Sequence, residues 1–308
     1  MVEHGHGDQR GWGEVSALQR QEGLSATRML PHSPWLERWD RIVVEPGVKE
    51  RLLNYALFAL GSRASMSTVG LPSHGLVLLS GPPGTGKTTL AQGLAHRVAE
   101  ELVHREMTDR VVFGVIDPHA FPSEMLGSTQ RAVASMFDRL IPGLCDSGRP
   151  VVILMDEVEA LAVSRTRASF QTNPVDVHRA TDAVLTGLDA VASRFSNLLL
   201  VATTNDLATV DEAFISRVDV HEHLGLPSAT ALARILADTL TEVTGESVPD
   251  EALLDLAKRC DGAGMDARQA RKLIVRALIS GGPELALSPK DLQLSDLEKL
   301  IPTASANA

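Results

Sequence analysis

The sequence predicts an α/β protein: a domain built on a parallel five-stranded sheet, followed by a small all-helical domain. Three observations carry this reading. Apolar segments of strand length alternate with helical segments up to about residue 226, the pattern of a parallel sheet whose crossovers are helices. The first of these strands runs into Gly81-Pro82-Pro83-Gly84-Thr85-Gly86-Lys87-Thr88, a glycine-rich loop that opens a helix. Beyond Gly225-Leu226-Pro227-Ser228 the signals are helical.

Residues 1–33 carry Gly, Gln, His and Ser with little periodicity. They are expected to form a flexible arm with one short helix near Val15–Gln21. His4 and His6 lie in that arm without cysteine or carboxylate at metal-ligand spacing, so they read as polar tail rather than a metal site. Order is expected from Trp35 to Asp40, then a helix from Pro46 to Leu60 with Val48, Leu52, Tyr55 and Ala59 on one side. Gly75 to Ser80 is the first strand, and Thr89 to Val103 a helix with Leu90, Leu94, Val98 and Leu102 on one face. Arg110–Ile116, Val151–Met155, Leu198–Thr203 and Asp219–Leu226 complete the five strands. The α/β domain is thus drawn at 34–226 and the helical domain at 227–308, with 225–227 as the hinge. Ser228 can cap a helix through Val243; Pro249 to Arg259, Asp266 to Ile279 and Leu292 to Ile301 supply three more.

The glycine loop carries the first chemistry. Gly81, Gly84 and Gly86 let the backbone turn its N–H groups inward around a phosphate at a helix N-terminus. Lys87 brings a point charge to the β- and γ-phosphates and the Thr88 hydroxyl suits Mg²⁺. Residues Gly81 to Thr88, with Thr89, are therefore the expected ATP-binding set. Val151 to Met155 is apolar on both faces, as in a central parallel strand, so Asp156 and Glu157 emerge at its C-terminal edge, where such sheets bind ligands. Asp156 is expected to hold Mg²⁺ through water, and Glu157 to polarise the attacking water. The strand Leu198–Thr203 ends beside that edge, so Asn205 can bond the attacking water or the γ-phosphate.

Composition narrows the partners. A formal net charge of −10 argues against a phosphate-backbone partner, which demands clustered Lys and Arg. Cys145 and Cys260 are far apart and lack partners at metal-ligand spacing, which fits a reduced, cytoplasmic protein. No stretch is apolar and long enough to span a bilayer, and the N-terminus lacks signal-peptide character.

Asn205, followed by Asp211-Glu212-Ala213 and then Arg217-Val218-Asp219, resembles the second region of homology of the AAA+ ATPases. The resemblance implies that Asn205 is sensor 1 and that Arg217 is the arginine finger entering the neighbouring subunit's site, which requires a ring. Many relatives have two arginines in this segment; here there is one. Arg268, in Gly264-Met265-Asp266-Ala267-Arg268, resembles the sensor 2 arginine, which would couple domain closure to the γ-phosphate.

Further segments are similar to the pachytene-checkpoint family of AAA+ remodellers of HORMA-domain proteins: DEVEALAVSRTRA, NPVDVHRATDAVLTGLDAV, VDEAFISRVDVHEHLGLPSA and GMDARQARKL. The similarity runs from about Trp39 to Ile279. Eukaryotic members carry a recruiting N-terminal domain where this sequence has a short arm, which looks like the compact bacterial type of antiphage signalling operons. In those a HORMA protein activates a nucleotide second-messenger synthase. The resemblance implies a homohexamer that pulls a segment of a HORMA-domain protein, alone or bound to a nucleotidyltransferase, through its centre. The pore loop falls on His119 to Gly127, with Met125 where the family has an aromatic residue; Met125 and Leu126 can still grip an extended peptide. Arg165 and Arg167 occupy the place of a second pore loop, either touching an acidic substrate or solvating a loop. Competing readings are an AAA+ switch on DNA, such as a loader or initiator, a general unfoldase, and a non-hydrolysing scaffold. Acidic charge opposes the first, and intact Glu157, Asn205 and Arg217 the last.

Overall fold

The computed structural model describes residues 24–32, 35–63, 73–116, 128–164 and 174–301. Six strands form one sheet: β1 (Leu24–Leu30), β2 (Leu76–Ser80), β3 (Val111–Ile116), β4 (Val151–Met155), β5 (Leu198–Thr204) and β6 (Val220–His223), in the order β1-β3-β4-β5-β2-β6. Every pairing is parallel except β1 with β3. Strands β2, β4 and β5 are buried at every position, as expected where both faces of a parallel sheet are covered.

The strand count corrects the expected five, and β1 lies within the stretch read as a flexible arm. Its buried residues are Leu24, Thr27 and Leu30, three apart, and its pairing shifts register between Leu24 and Ala26. That irregularity removes the alternation by which a strand is recognised in sequence. The helix expected near Val15–Gln21 lies outside the described residues.

The described chain divides into two compact units, one of residues 24–39, 47–80 and 88–223, the other of residues 40–46, 81–87 and 224–301. The helices of the first are α1 (Leu36–Arg41, whose last two residues join the second unit), α2 (Val48–Gly61), α3 (Lys87–His104, whose first residue joins the second unit), α4 (Ser128–Ser135), α5 (Ile141–Cys145), α6 (Pro174–Arg194) and α7 (Glu212–Ile215). A π-helical turn, Met136–Leu140, joins α4 to α5. Its Phe137 lies against α6 where a Cβ on Gly187 would stand, so the glycine of the Leu185-Thr186-Gly187-Leu188-Asp189 segment makes room for an aromatic ring. Helices α4, α5 and α6 share one apolar core with the sheet.

The second unit gathers α8 (Ala229–Thr244), α9 (Leu254–Gly262), α10 (Ala267–Ser280), α11 (Gly282–Leu287) and α12 (Leu294–Glu298). Leu232, Leu236, Leu240, Leu256, Cys260, Leu273, Ile274 and Leu297 form its core. Ser228 caps α8 through the Ala231 amide, and Asp266 and Gln269 make a reciprocal capping box on α10. The helix expected from Pro249 starts as a 3-10 turn, Asp250–Leu253, before α9. Helix α11 lies in a stretch without amphipathic signal: it opens on Gly282-Pro283 and leaves Leu287 exposed.

Candidate functional site

In the first unit the C-terminal edge of the sheet gathers a hydrogen-bonded set of side chains. Thr88, in the first turn of α3, donates its hydroxyl to both oxygens of Asp156 at 3.0 and 3.1 Å. Thr203, near the end of β5, donates to Asp156 at 2.5 Å and accepts the Glu157 backbone N–H at 3.0 Å. Sequence reasoning missed Thr203, because a Thr at the end of an apolar strand is also a common β-former. Glu157 sits in the left-handed region, φ 54°, where a side chain with a Cβ is uncommon. Its Oε1 accepts from the Asn205 side-chain amide at 3.3 Å. The adjacent Asp156 and Glu157 are thus brought together at one edge with Asn205, which lies 48 residues beyond Glu157 in sequence.

In the second unit the loop Gly81–Gly86 takes the backbone that its glycines allow. Gly81, Gly84 and Gly86 have φ of 141°, 82° and 93°. A Cβ on Gly81 would strike the carbonyl of Leu224, and one on Gly84 the carboxylate of Asp266, so close approach as well as φ excludes side chains there. Lys87 is buried and donates its ammonium to the carbonyls of Gly81 and Pro82 at 2.7 and 3.0 Å. The Thr85 hydroxyl donates to the Pro82 carbonyl at 2.9 Å. Asp266 is the N-cap of α10, and Arg268 therefore stands in the first turn of the helix whose cap touches the loop. Ile42 adds an apolar contact, its Cδ1 being 3.1 Å from where a Cβ on Gly86 would stand. Its sequence neighbourhood carries no motif that would have singled it out.

Arg217 lies at the other edge of the sheet. Two residues on, the Asp219 N–H donates to the Leu76 carbonyl at 2.9 Å, at the start of β2. The Asp219 carboxylate accepts from the Tyr55 hydroxyl at 2.6 Å and from the His74 and Leu76 amides, each at 3.0 Å. Burial, reinforced by that bond to Asp219, raises the Tyr55 phenol above its ordinary pKa. Arg217 itself donates Nε and Nη2 to the two oxygens of Asp189, both at 2.7 Å, and Nη1 to the Ala213 carbonyl at 2.7 Å. The hydrogen-bonded pairing holds the Asp189 carboxyl below the usual carboxylate range and raises the Arg217 guanidinium. Asp189 stands on α6, near its C-terminal end.

Met125, Leu126, Arg165 and Arg167 lie outside the described residues. Among the described residues, no helix is long and apolar enough to cross a membrane, and no group of three or more His, Cys, Asp or Glu residues could hold a metal ion.

Residues 77–226 match the family described as ATPase family associated with various cellular activities (AAA). The chain is 40% identical over 285 residues to CD-NTase-associated protein 6 of Pseudomonas aeruginosa, covering 91% of each. It is 32% identical over 244 residues to a Pachytene checkpoint protein 2 homolog of Danio rerio, which covers 78% of this chain and 57% of that protein. This chain therefore spans little more than half the length of that relative. Among solved structures, a chain of the E. coli MS115-1 HORMA:CdnC:Trip13 complex shares its fold, with a TM-score of 0.72 at 21% identity over 91% of this chain and 96% of that one. The chain belongs to the AAA ATPase family, on the branch that holds CD-NTase-associated protein 6 and the pachytene checkpoint proteins.

Proposed function

We propose that the protein is an ATP-hydrolysing remodeller that works as a ring, most simply a homohexamer, on a HORMA-domain protein associated with a nucleotidyltransferase. In this reading ATP is held by the loop Gly81–Gly86, by Lys87 and by Thr88 and Thr89. Glu157 takes the proton of the attacking water, and Asn205 orients that water or the γ-phosphate. Thr88 and Asp156, already joined to each other, fit a Mg²⁺ ion, whose chemistry when bound is to neutralise charge on the phosphate oxygens. Arg268 reports on the nucleotide from the first turn of α10.

The observation that carries the ring is the position of Arg217. Glu157 and Asn205 follow the C-terminal ends of β4 and β5, whereas Arg217 precedes the N-terminal end of β6. The parallel strands between those edges are five to seven residues long, which at about 3.3 Å per residue is some 13–20 Å. That is beyond the reach of a side chain that is in addition held by Asp189. An arginine so placed serves a γ-phosphate only in another subunit, and the last subunit of a closed assembly must also receive one.

The partner is argued from kinship: 40% identity to a protein named for its association with a CD-NTase, and the segments similar to HORMA remodellers. A HORMA protein would offer a flexible terminus to the pore, gripped by Met125 and Leu126, and lose its closed, activating form. That switches off the second-messenger synthase. The test mixes purified protein, ATP and Mg²⁺ with a HORMA-nucleotidyltransferase complex and follows its dissociation by size exclusion and its nucleotide synthesis. ATP-dependent dissociation is expected, and is lost when the HORMA terminus is deleted. An unchanged complex, together with salt-sensitive binding to duplex DNA, overturns the reading in favour of a DNA switch.

A further inference from the structure

Asp156 and Glu157 are followed by a third acid, Glu159, that neither the motif nor the proposed reaction uses. We propose that Glu159 is a positioning residue for hydrolysis, fixing Asn205 against Glu157. This inference rests on the proposed roles of Asn205 and Glu157 and deepens them.

The local geometry follows from the chain. Strand β4 ends at Met155, and the left-handed backbone at Glu157 reverses it into a 3-10 turn, Val158–Ala160, which fully buried Val158 pins to the core. The turn aims Glu159 at the tip of β5. There the parallel ladder stops at Thr204, so the Asn205 N–H is the first amide of that chain beyond the strand. Such a group needs an acceptor, and Glu159 Oε1 supplies one at 3.0 Å. Two residues earlier, Glu157 Oε1 accepts from the Asn205 side-chain amide at 3.3 Å. One acid thus takes the backbone of Asn205 and the other its side chain. The first bond sets where the second can form, because the Asn205 amide group can swing once its backbone is released. Glu159 Oε2 is buried and has no hydrogen-bond partner among the described residues. An unsatisfied buried acceptor opposes folding, so the bond made by the other oxygen, to Asn205, is the polar contact that this carboxyl supplies.

The substitutions follow from the bond. Glu159→Ala removes the acceptor, Glu159→Asp draws it back by one methylene, and Glu159→Gln keeps a carbonyl oxygen in reach. Steady-state ATPase of the full chain with Mg²⁺ should show kcat reduced roughly tenfold to a hundredfold by Ala and Asp, since small displacements of a reacting geometry cost that much. The KM for ATP should hold, and Gln should restore most of kcat. Adding Glu159→Ala to Asn205→Ala should cost nothing further, because both remove one interaction. If Asn205→Ala lowers kcat but Glu159→Ala and Glu159→Asp do not, the inference fails while the role of Asn205 stands. It fails likewise if the losses multiply, or if they appear in KM alone. If Asn205→Ala itself leaves kcat intact, the proposed site fails and this inference with it. Should the Ala variant prove unfolded by circular dichroism, the contrast between Asp and Gln decides alone.

Discussion

Asp189 grips Arg217 through two parallel hydrogen bonds of 2.7 Å, from Nε and Nη2 to its two oxygens. With Nη1 on the Ala213 carbonyl, these bonds commit three of the five guanidinium donors, leaving two for the proposed contact with a neighbour's phosphate. An arginine so held is pre-oriented for the trans role proposed for it, and a fork of this geometry cannot be reproduced by lysine.

Arg217→Ala should keep ATP affinity and lose most turnover, about a thousandfold or more where a trans finger is fully engaged. Mixing this variant with Lys87→Ala protein places intact fingers against intact loops in some subunit pairs, so partial recovery of ATPase is expected. A mixture that forms mixed rings and regains nothing would assign Arg217 to its own subunit or to structure alone.

The Asp189 pairing also has a pH signature. A carboxyl whose folded pKa lies below its unfolded one adds stability that is present above the unfolded value and lost as pH falls through the folded one. The depressed Asp189 carboxyl is of this kind. Asp189→Asn should therefore melt lower than the parent protein at neutral pH. The difference should close in acid, below the ordinary aspartate pKa of about 4. The effect is small because both partners meet solvent. Melting curves from pH 3 to 7 check it (~pH 4 being the informative region).

Glu157→Gln should bind ATP and hydrolyse it slowly, since the phosphate contacts survive while the water loses its base. Nucleotide binding followed beside single-turnover hydrolysis separates the two. Near-normal turnover would remove Glu157 from the role of base.

Gly187→Ala should destabilise the first unit, because its Cβ would overlap the Phe137 ring. Overpacking of this sort costs about 1–3 kcal/mol. The urea midpoint reports it, and adding Phe137→Leu should relieve part of the loss.

Burial pushes the Cys145 thiol up to about 12 and raises that of Cys260 as well. Both should resist alkylation at neutral pH in the native protein and react on unfolding, because the thiolate is the nucleophile. Mass spectrometry before and after urea counts the labels.

The sequence by itself determined the strand, loop and helix around Lys87, the acids that end β4, and the helical character of the second unit. Each is a local pattern: a run of apolar residues, glycines at fixed offsets, a capping Ser228 or Asp266. It also determined the kinship, since the Leu185–Asp189 helix and the Arg217–Asp219 segment are contiguous in the chain. What the tertiary structure decided is whatever depends on residues distant in sequence. Strand β1 finds its ladder partner in β3, far on in the sequence, and its bulge hides the alternation from any reading of Leu24–Leu30 alone. Thr203 and Glu159 look like an ordinary strand residue and an ordinary surface acid until β4 and β5 lie side by side in register. Arg217 is the single arginine of its segment; its distance from Glu157 and its hold on Asp189 follow from the crossover of α6 and the parallel sheet. A hydrogen bond is set by the two ends it joins, and for these residues the chain brings the ends together only by folding.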